Sequence, residues 1–268
     1  MKTGIVESGY IMEAVLPIRQ VQDNPIYAGL VESMDAAVGV VLDALSEEGI
    51  EDETIVVFTS DNGGVASGDS FSTSNLPERG GKGYQWEGGI REPYFIKVPW
   101  LDNDQSTSDY PVTGTDFYPT LLDLAGIDLR PEQHIDGISL KPILEGERLE
   151  KERPLFWHYP HYGNQGGNPS SIIREGYWKL IHYWEDDTVE LYDLSKDIGE
   201  QNNLLGQQPE IARRLNDKLL QWLKDVGANI PEPDPQYDSL LSAQRQLMII
   251  KEKWPDLEAQ RLQMLSPD

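Results

Sequence analysis

The succession that most constrains this chain is an amphipathic helix, a strand and then Asp61-Asn62-Gly63-Gly64. Ile26, Leu30, Met34, Val38, Val41, Leu42 and Leu45 recur at spacings of three and four, the period of a helix that buries one face. Asn24 supplies an N-cap, Pro25 a first-turn proline and Gly49 a stop. Residues 54–59, Thr-Ile-Val-Val-Phe-Thr, are the β-branched, nearly continuous apolar run of a strand covered on both faces. A helix feeding such a strand predicts an α/β layer with a parallel sheet.

Gly-rich loop sequence follows from Asp61 to Gly89, and a second short strand is predicted over 94–98, between Pro93 and Pro99. Thr115 is placed to cap a helix through Leu121, Leu122 and Leu124 that stops at Gly126, with Pro119 tolerated near its start. A helical turn is expected around 140–144. Beyond about Arg153 the texture changes: 155–159, 171–174, 178–184 and 189–192 are short, aromatic-rich and separated by Gly, Asn and Asp, the pattern of an antiparallel meander. A helix from Pro209, with Ile211, Leu215, Leu219 and Leu223 on one face, packs on that sheet. Pro231, Pro233 and Pro235 mark a linker, and Ser239 opens a helical tail interrupted at Pro255. The expected organisation is 1–152, part of an α/β domain; 153–236, a small antiparallel subdomain with its helix; and 237–268, the tail. Met1 to Gln22 match no element.

Composition narrows the partners. The 22 Lys and Arg against 46 Asp and Glu give a net charge of −24, which repels phosphate backbones and anionic lipid, so neither nucleic acid nor a membrane surface is an expected partner. The longest apolar runs fall far short of the roughly 20 residues of a membrane helix, and the first 20 residues do not read as a secretory signal. No cysteine is present, so disulfides, thiolate metal sites and a thiol nucleophile are excluded in these residues.

Three features carry chemistry. Asp61 and Asn62 follow directly on the strand, where open α/β sheets place ligands, and offer hard oxygen donors for calcium or magnesium; the same tetrapeptide also makes an ordinary turn. Two donors do not complete a calcium site, which takes about six to eight oxygens. Lys82, inside Gly80-Gly81-Lys82-Gly83, reads either as a clamp for an anion or as a solvated loop lysine. His158, His161 and Asn164 sit among aromatics and glycines that suit a sugar-like or aryl pocket, or else a satisfied strand end.

These segments occur in a particular order: residues 27–39, then Val56-Val57-Phe58-Thr59-Ser60-Asp61-Asn62-Gly63-Gly64, Arg79-Gly80-Gly81-Lys82-Gly83 and Trp86-Glu87-Gly88-Gly89-Ile90-Arg91-Glu92-Pro93. Asp116-Phe117-Tyr118-Pro119-Thr120, Asp136-Gly137-Ile138-Ser139-Leu140 and Leu191-Tyr192-Asp193-Leu194 follow. Taken together, residues 24–236 resemble the type I sulfatases of the alkaline phosphatase superfamily, specifically their C-terminal portion. The resemblance implies an α/β, alkaline-phosphatase-like sandwich in part, followed by the antiparallel subdomain and a C-terminal helix. It implies Asp61 and Asn62 as calcium ligands, Lys82 as the sulfate clamp, and a sulfate ester or sulfated carbohydrate as substrate.

The family's nucleophile, a formylglycine made from Cys or Ser in a Cys/Ser-x-Pro-x-Arg motif, has no counterpart here. The nearest imitation, Asn75-Leu76-Pro77-Glu78-Arg79, carries asparagine in its place. The expectation is therefore an incomplete or truncated sulfatase, inactive by itself, whose uncovered sheet edge takes an N-terminal half or a second copy as partner. The alternative is a non-catalytic module that binds calcium or a sulfated glycan. The family it resembles is often periplasmic or extracellular, while the residues themselves, without cysteine and without a signal pattern, leave the compartment open.

Overall fold

The computed structural model of the chain describes residues 8–13, 16–68, 70–101, 107–147, 149 and 153–266. Two compact units are built from interleaved stretches: Met1–Val40, Phe58–Phe95 and Pro154–Asp268 make one, Val41–Val57 and Ile96–Arg153 the other. Strands β1 (Tyr10–Glu13) and β2 (Leu16–Arg19) form an antiparallel hairpin with Tyr10 opposite Arg19, in a stretch where the sequence pattern showed no element. Helix α1 (Pro25–Glu47) starts as expected, the Asn24 side chain accepting from the backbone N–H of Ile26 and Tyr27 at 3.0 and 3.2 Å. Strand β3 (Val56–Thr59) follows, then the one-turn helix α2 (Glu87–Ile90) and β4 (Tyr94–Lys97), which pairs with β3 in a two-stranded sheet.

The expectation that this helix buries one face and this strand both does not hold. No residue of α1 is buried, Ile26 and Val40 being 71% and 68% exposed, and β3 has no buried residue either. The periodicity records that the segments are made to be covered, and no described element covers them.

In the other unit, α3 (Phe117–Leu124) and α4 (Lys141–Leu144) surround few buried apolar side chains, chiefly Val98, Leu124 and Leu140. A polar staple compensates. The wholly buried Asp116 accepts from the backbone N–H of Thr113 at 2.8 Å and of Ile138 at 2.9 Å, and pairs with Arg153. The capping role falls to Thr113, in a reciprocal box with Asp116, rather than to Thr115, because a 3-10 turn over Gly114–Asp116 precedes α3.

The meander is β5 (Leu155–Tyr159), β6 (Ser170–Glu175), β7 (Trp178–Tyr183) and β8 (Thr188–Asp193), antiparallel in that order. Helix α5 (Pro209–Asp225) covers one face: Ala212, Leu215, Leu219 and Leu223 pack on Ile173, Leu180 and Leu191. Alternate residues Ile172, Ile181 and Tyr192 face the opposite way and meet Ile18, Ala66, Tyr84 and Trp86, as the two-residue period of a strand requires. Each such aliphatic side chain contributes about 1.5–3 kcal/mol by leaving water. The loops that carry Asp61 and Lys82 are thus tied to the sheet by Ala66, Tyr84 and Trp86.

The tail runs on through α6 (Ser239–Met248), a π-helical turn at Ile249–Lys253 and α7 (Trp254–Leu265). Regular α-helix is interrupted by that π-helical turn just before Pro255, which then lies in the first turn of α7. Tyr10, Phe71 and Leu257 form a small satellite core, and Arg261 pairs with Asp23 at 2.8 Å and Glu258 at 2.9 Å. Among the described residues no helix is long and apolar enough to cross a membrane.

Candidate functional site

Strand β3 delivers Asp61 and Asn62 to the rim of a cleft of about 890 Å³ whose walls include Tyr27, Thr73, Asn75, Arg91 and Glu92. The turn that follows lies against α2: the Gly63 N–H donates to Gly89 O at 3.2 Å, and a Cβ on Gly63 would come within 1.8 Å of Gly88 O. Only glycine permits that approach.

The Lys82 loop joins the same turn. Gly64 O accepts from the Lys82 backbone N–H at 3.1 Å and from Asn75 Nδ2 at 2.9 Å. Asn75 also donates to Gly80 O at 3.0 Å and accepts from the Gly64 N–H at 3.0 Å. A single amide therefore satisfies three backbone groups of two loops. The sequence offered Asn75 only as a mismatch to a nucleophile motif; its role depends on a fold-back of eleven residues that no spacing rule announces. The half-buried Lys82 side chain forms no hydrogen bond or ion pair with the described residues, and it does not line the cleft.

Glu92 is the other group that sequence reading left without a role. Its Oε1 is buried with no hydrogen-bond partner, and burial, then the charges of Asp61 and Glu78, push its carboxyl up to about 7. A carboxyl whose proton affinity is raised by burial at a cleft wall is a mark of functional sites. Asp61 and Asn62 are chemically suited to a hard cation. Their number is not sufficient: among the described residues no group of three or more His, Asp or Glu converges to hold a metal.

The remaining three candidates divide. His158 donates from Nε2 to Asn229 O at 2.9 Å, since a carbonyl can only accept; its Nδ1 therefore accepts from Ser171 Oγ at 2.7 Å, which in turn receives Trp184 Nε1 at 2.9 Å. Both ring nitrogens are thus engaged, one with β6 and the other with the segment that follows α5. His161 is exposed and stands edge-on to Tyr159, with ring centroids 5.5 Å apart. Asn164 is exposed on a loop docked beside Lys82: Ser67 Oγ donates to Gln165 O, and a Cβ on Gly167 would fall 1.9 Å from Gly83 O. The structure thus brings the loops of Asp61, Asn62, Lys82 and Asn164 together and gives His158 a separate set of partners.

Comparison with known proteins gives this arrangement its family. The N-sulphoglucosamine sulphohydrolase C-terminal family model matches residues 81–225, and the sulfatase model matches residues 13–127. A sulfatase of Formosa agariphila is 36% identical over 241 residues, covering 81% of this chain and 42% of that protein. An N-acetylglucosamine-6-O-sulfatase of Bacteroides thetaiotaomicron is 32% identical over 231 residues, covering 83% and 39%. The solved structure of BT4656 in complex with its substrate D-glucosamine-2-N,6-O-disulfate superposes with a TM-score of 0.60 at 30% identity, covering 77% of this chain and 41% of that one. The chain belongs to the sulfatase family, with the alkaline-phosphatase-like α/β fold of its neighbours. It spans about two fifths of the length of these curated relatives.

Proposed function

We propose that these residues form the substrate-holding part of a sulfate ester hydrolase. Asp61 and Asn62 hold a hard cation such as calcium, Lys82 neutralises the sulfate group, and the exposed Asn164 and His161 meet the carbohydrate that bears it. His158 keeps the base of their loop in place through Ser171 and Asn229. The observation that carries this reading is the Gly64 carbonyl shared by the Lys82 N–H and Asn75, which ties the cation-type turn to the lysine loop. Lys82 suits the task as a compact point charge with no partner of its own among the described residues. The sulfated-sugar class is supported by the glucosamine 6-sulfate chemistry named for two of the similar proteins.

None of the 268 residues is a cysteine, and no serine precedes Pro and Arg at the required spacing. The nucleophile of the reaction therefore comes from other residues, and the exposed stripe of α1 supports a further sulfatase α/β segment as the partner that brings it. Two measurements test this. Calorimetry of the 268-residue chain with calcium and a 6-sulfated glucosamine is expected to show weak binding that Lys82→Ala reduces at least tenfold; binding indifferent to Lys82 would remove its assigned role. Assay with a sulfate ester is expected to show no turnover until the preceding part of a sulfatase relative is added. Turnover by the chain alone, abolished by Lys82→Ala, would overturn the partner reading, and tight calcium and glycan binding that the added segment leaves inactive would favour a binding module.

A further inference from the structure

Lys179, in the middle of β7, is an unexpected residue for a sheet interior: it is completely buried, beside Leu180 and Ile181. Its Nζ lies 3.0 Å from Glu87 Oε1 and 2.8 Å from Glu200 Oε1, both carboxylates also buried. Arg174 of the neighbouring strand approaches the second oxygen of Glu87 at 3.6 Å. Glu200 accepts from the Glu87 backbone N–H at 2.6 Å, and its own carbonyl accepts from Arg79 Nη1 at 3.0 Å. It does so at φ +49°, a conformation that a non-glycine residue keeps only where its surroundings impose it. Taking an ammonium and two carboxyl groups out of water is costly unless they are paired with one another, and an apolar side chain of similar volume would serve packing as well or better. The triad therefore calls for a role other than packing.

That role follows from what Glu87 begins. It is the first residue of α2, whose Gly88 backbone is held by Arg79 O at 2.9 Å and whose Gly89 carbonyl receives the Gly63 N–H of the Asp61-Asn62-Gly63 turn. We propose that Lys179, Glu87 and Glu200 are positioning residues, a buried triad of one ammonium and two carboxyl groups that fixes α2 to the antiparallel sheet and so sets the height and direction of the turn presenting Asp61 and Asn62. The inference rests on the reading of that turn as the site. It makes the sheet, which contributes no group to the cleft wall, the reference frame of the cation-type loop.

Backbone amide exchange of the full 268-residue chain, followed by NMR without any added cation, tests it separately from that reading; failure of Asp61 and Asn62 to take calcium leaves these rates untouched. Lys179→Met is expected to speed exchange at Gly63 and Gly88 at least tenfold beyond a Leu215→Ala control on the opposite face of the sheet, compared at equal stability. Adding Glu200→Gln to Lys179→Met is expected to recover at least half of that change on a logarithmic scale, because one fewer buried carboxyl is left without its cation. Equal exchange at Gly63 in Lys179→Met and the control, or no recovery in the double variant, overturns the proposal. Should Lys179→Met not fold, Glu200→Ala decides: a threefold or larger acceleration at Gly63 that Glu200→Gln does not share supports the triad, since glutamine keeps the acceptor for the Glu87 N–H, and wild-type rates in Glu200→Ala overturn it.

Discussion

The sheet of β5 to β8 has one face under α5 and the other against Ala66, Tyr84 and Trp86, whereas α1, which also carries apolar residues at spacings of three and four, has no buried residue. Both helices carry hydrophobic residues at helical spacing, α5 with its apolar residues confined to one face and α1 with apolar residues spread more widely around it. The difference lies in where the complementary surface is encoded. For α5 it lies 20 to 50 residues upstream, in the meander; for α1 no described residue supplies it. Hydrophobic periodicity therefore reports that a segment is built to be covered and is silent on what covers it.

The comparison can be broken or sharpened by substitution. The largest effect is expected where polar bonds replace a core: Asp116→Ala leaves two backbone N–H groups and Arg153 without their partner and should cost about 3–5 kcal/mol in urea unfolding. A loss below 1 kcal/mol would mean that the apolar contacts of that unit suffice. Leu215→Ala, in the fully buried row of α5, is expected to cost about 2–5 kcal/mol. Leu30→Ala, at a 60% exposed position of α1, is expected to change stability by less than about 0.5 kcal/mol; a cost matching Leu215→Ala would show that α1 is covered in solution by another copy of the chain.

Between these in size comes a pH effect from the sheet side. Burial pushes the Glu200 carboxyl up to about 7 against the pull of Lys179 and of the Glu87 backbone N–H. The folded chain thus keeps this proton up to about pH 7, while the unfolded chain releases it near its ordinary value of 4.5. Between those values the unfolded state binds fewer protons, so this group makes stability fall as pH rises through the window and level off above it. Glu200→Gln should remove that fall, measured as thermal midpoints from pH 4.5 to 7.5. An unchanged slope would place the titration elsewhere.

Much of the architecture was legible because it depends on local pattern: α1 with its Asn24 cap, the four strands of the meander within a residue or two, α5 from Pro209, and the family motifs around Asp61 and Lys82. The hairpin of β1 and β2 was not legible, since two four-residue strands show too little alternation to stand out and are fixed by long-range contacts such as Ile18 in the sheet core. Asn75, Glu92 and Lys179 were missed for a related reason. Each is an unremarkable residue in its own segment and acquires a role only through groups that the fold brings to it: Gly64 and Gly80 for Asn75, Asp61 and Glu78 for Glu92, Glu87 and Glu200 for Lys179.

By itself the sequence determined the chemical inventory and the order of elements: a strand ending in Asp61-Asn62-Gly63-Gly64, one lysine within a glycine cluster, an acidic chain without cysteine, and an aromatic meander capped by a helix. Those properties are local, carried by side-chain type and by periods of two and 3.6 residues. Only the tertiary structure decided that the Asp61 and Lys82 loops meet at one carbonyl, that His158 spends its ring nitrogens on Ser171 and Asn229, and that the apolar residues of α1 lie open. Such outcomes depend on which distant backbone groups come within hydrogen-bond reach, and chain order does not encode that distance locally.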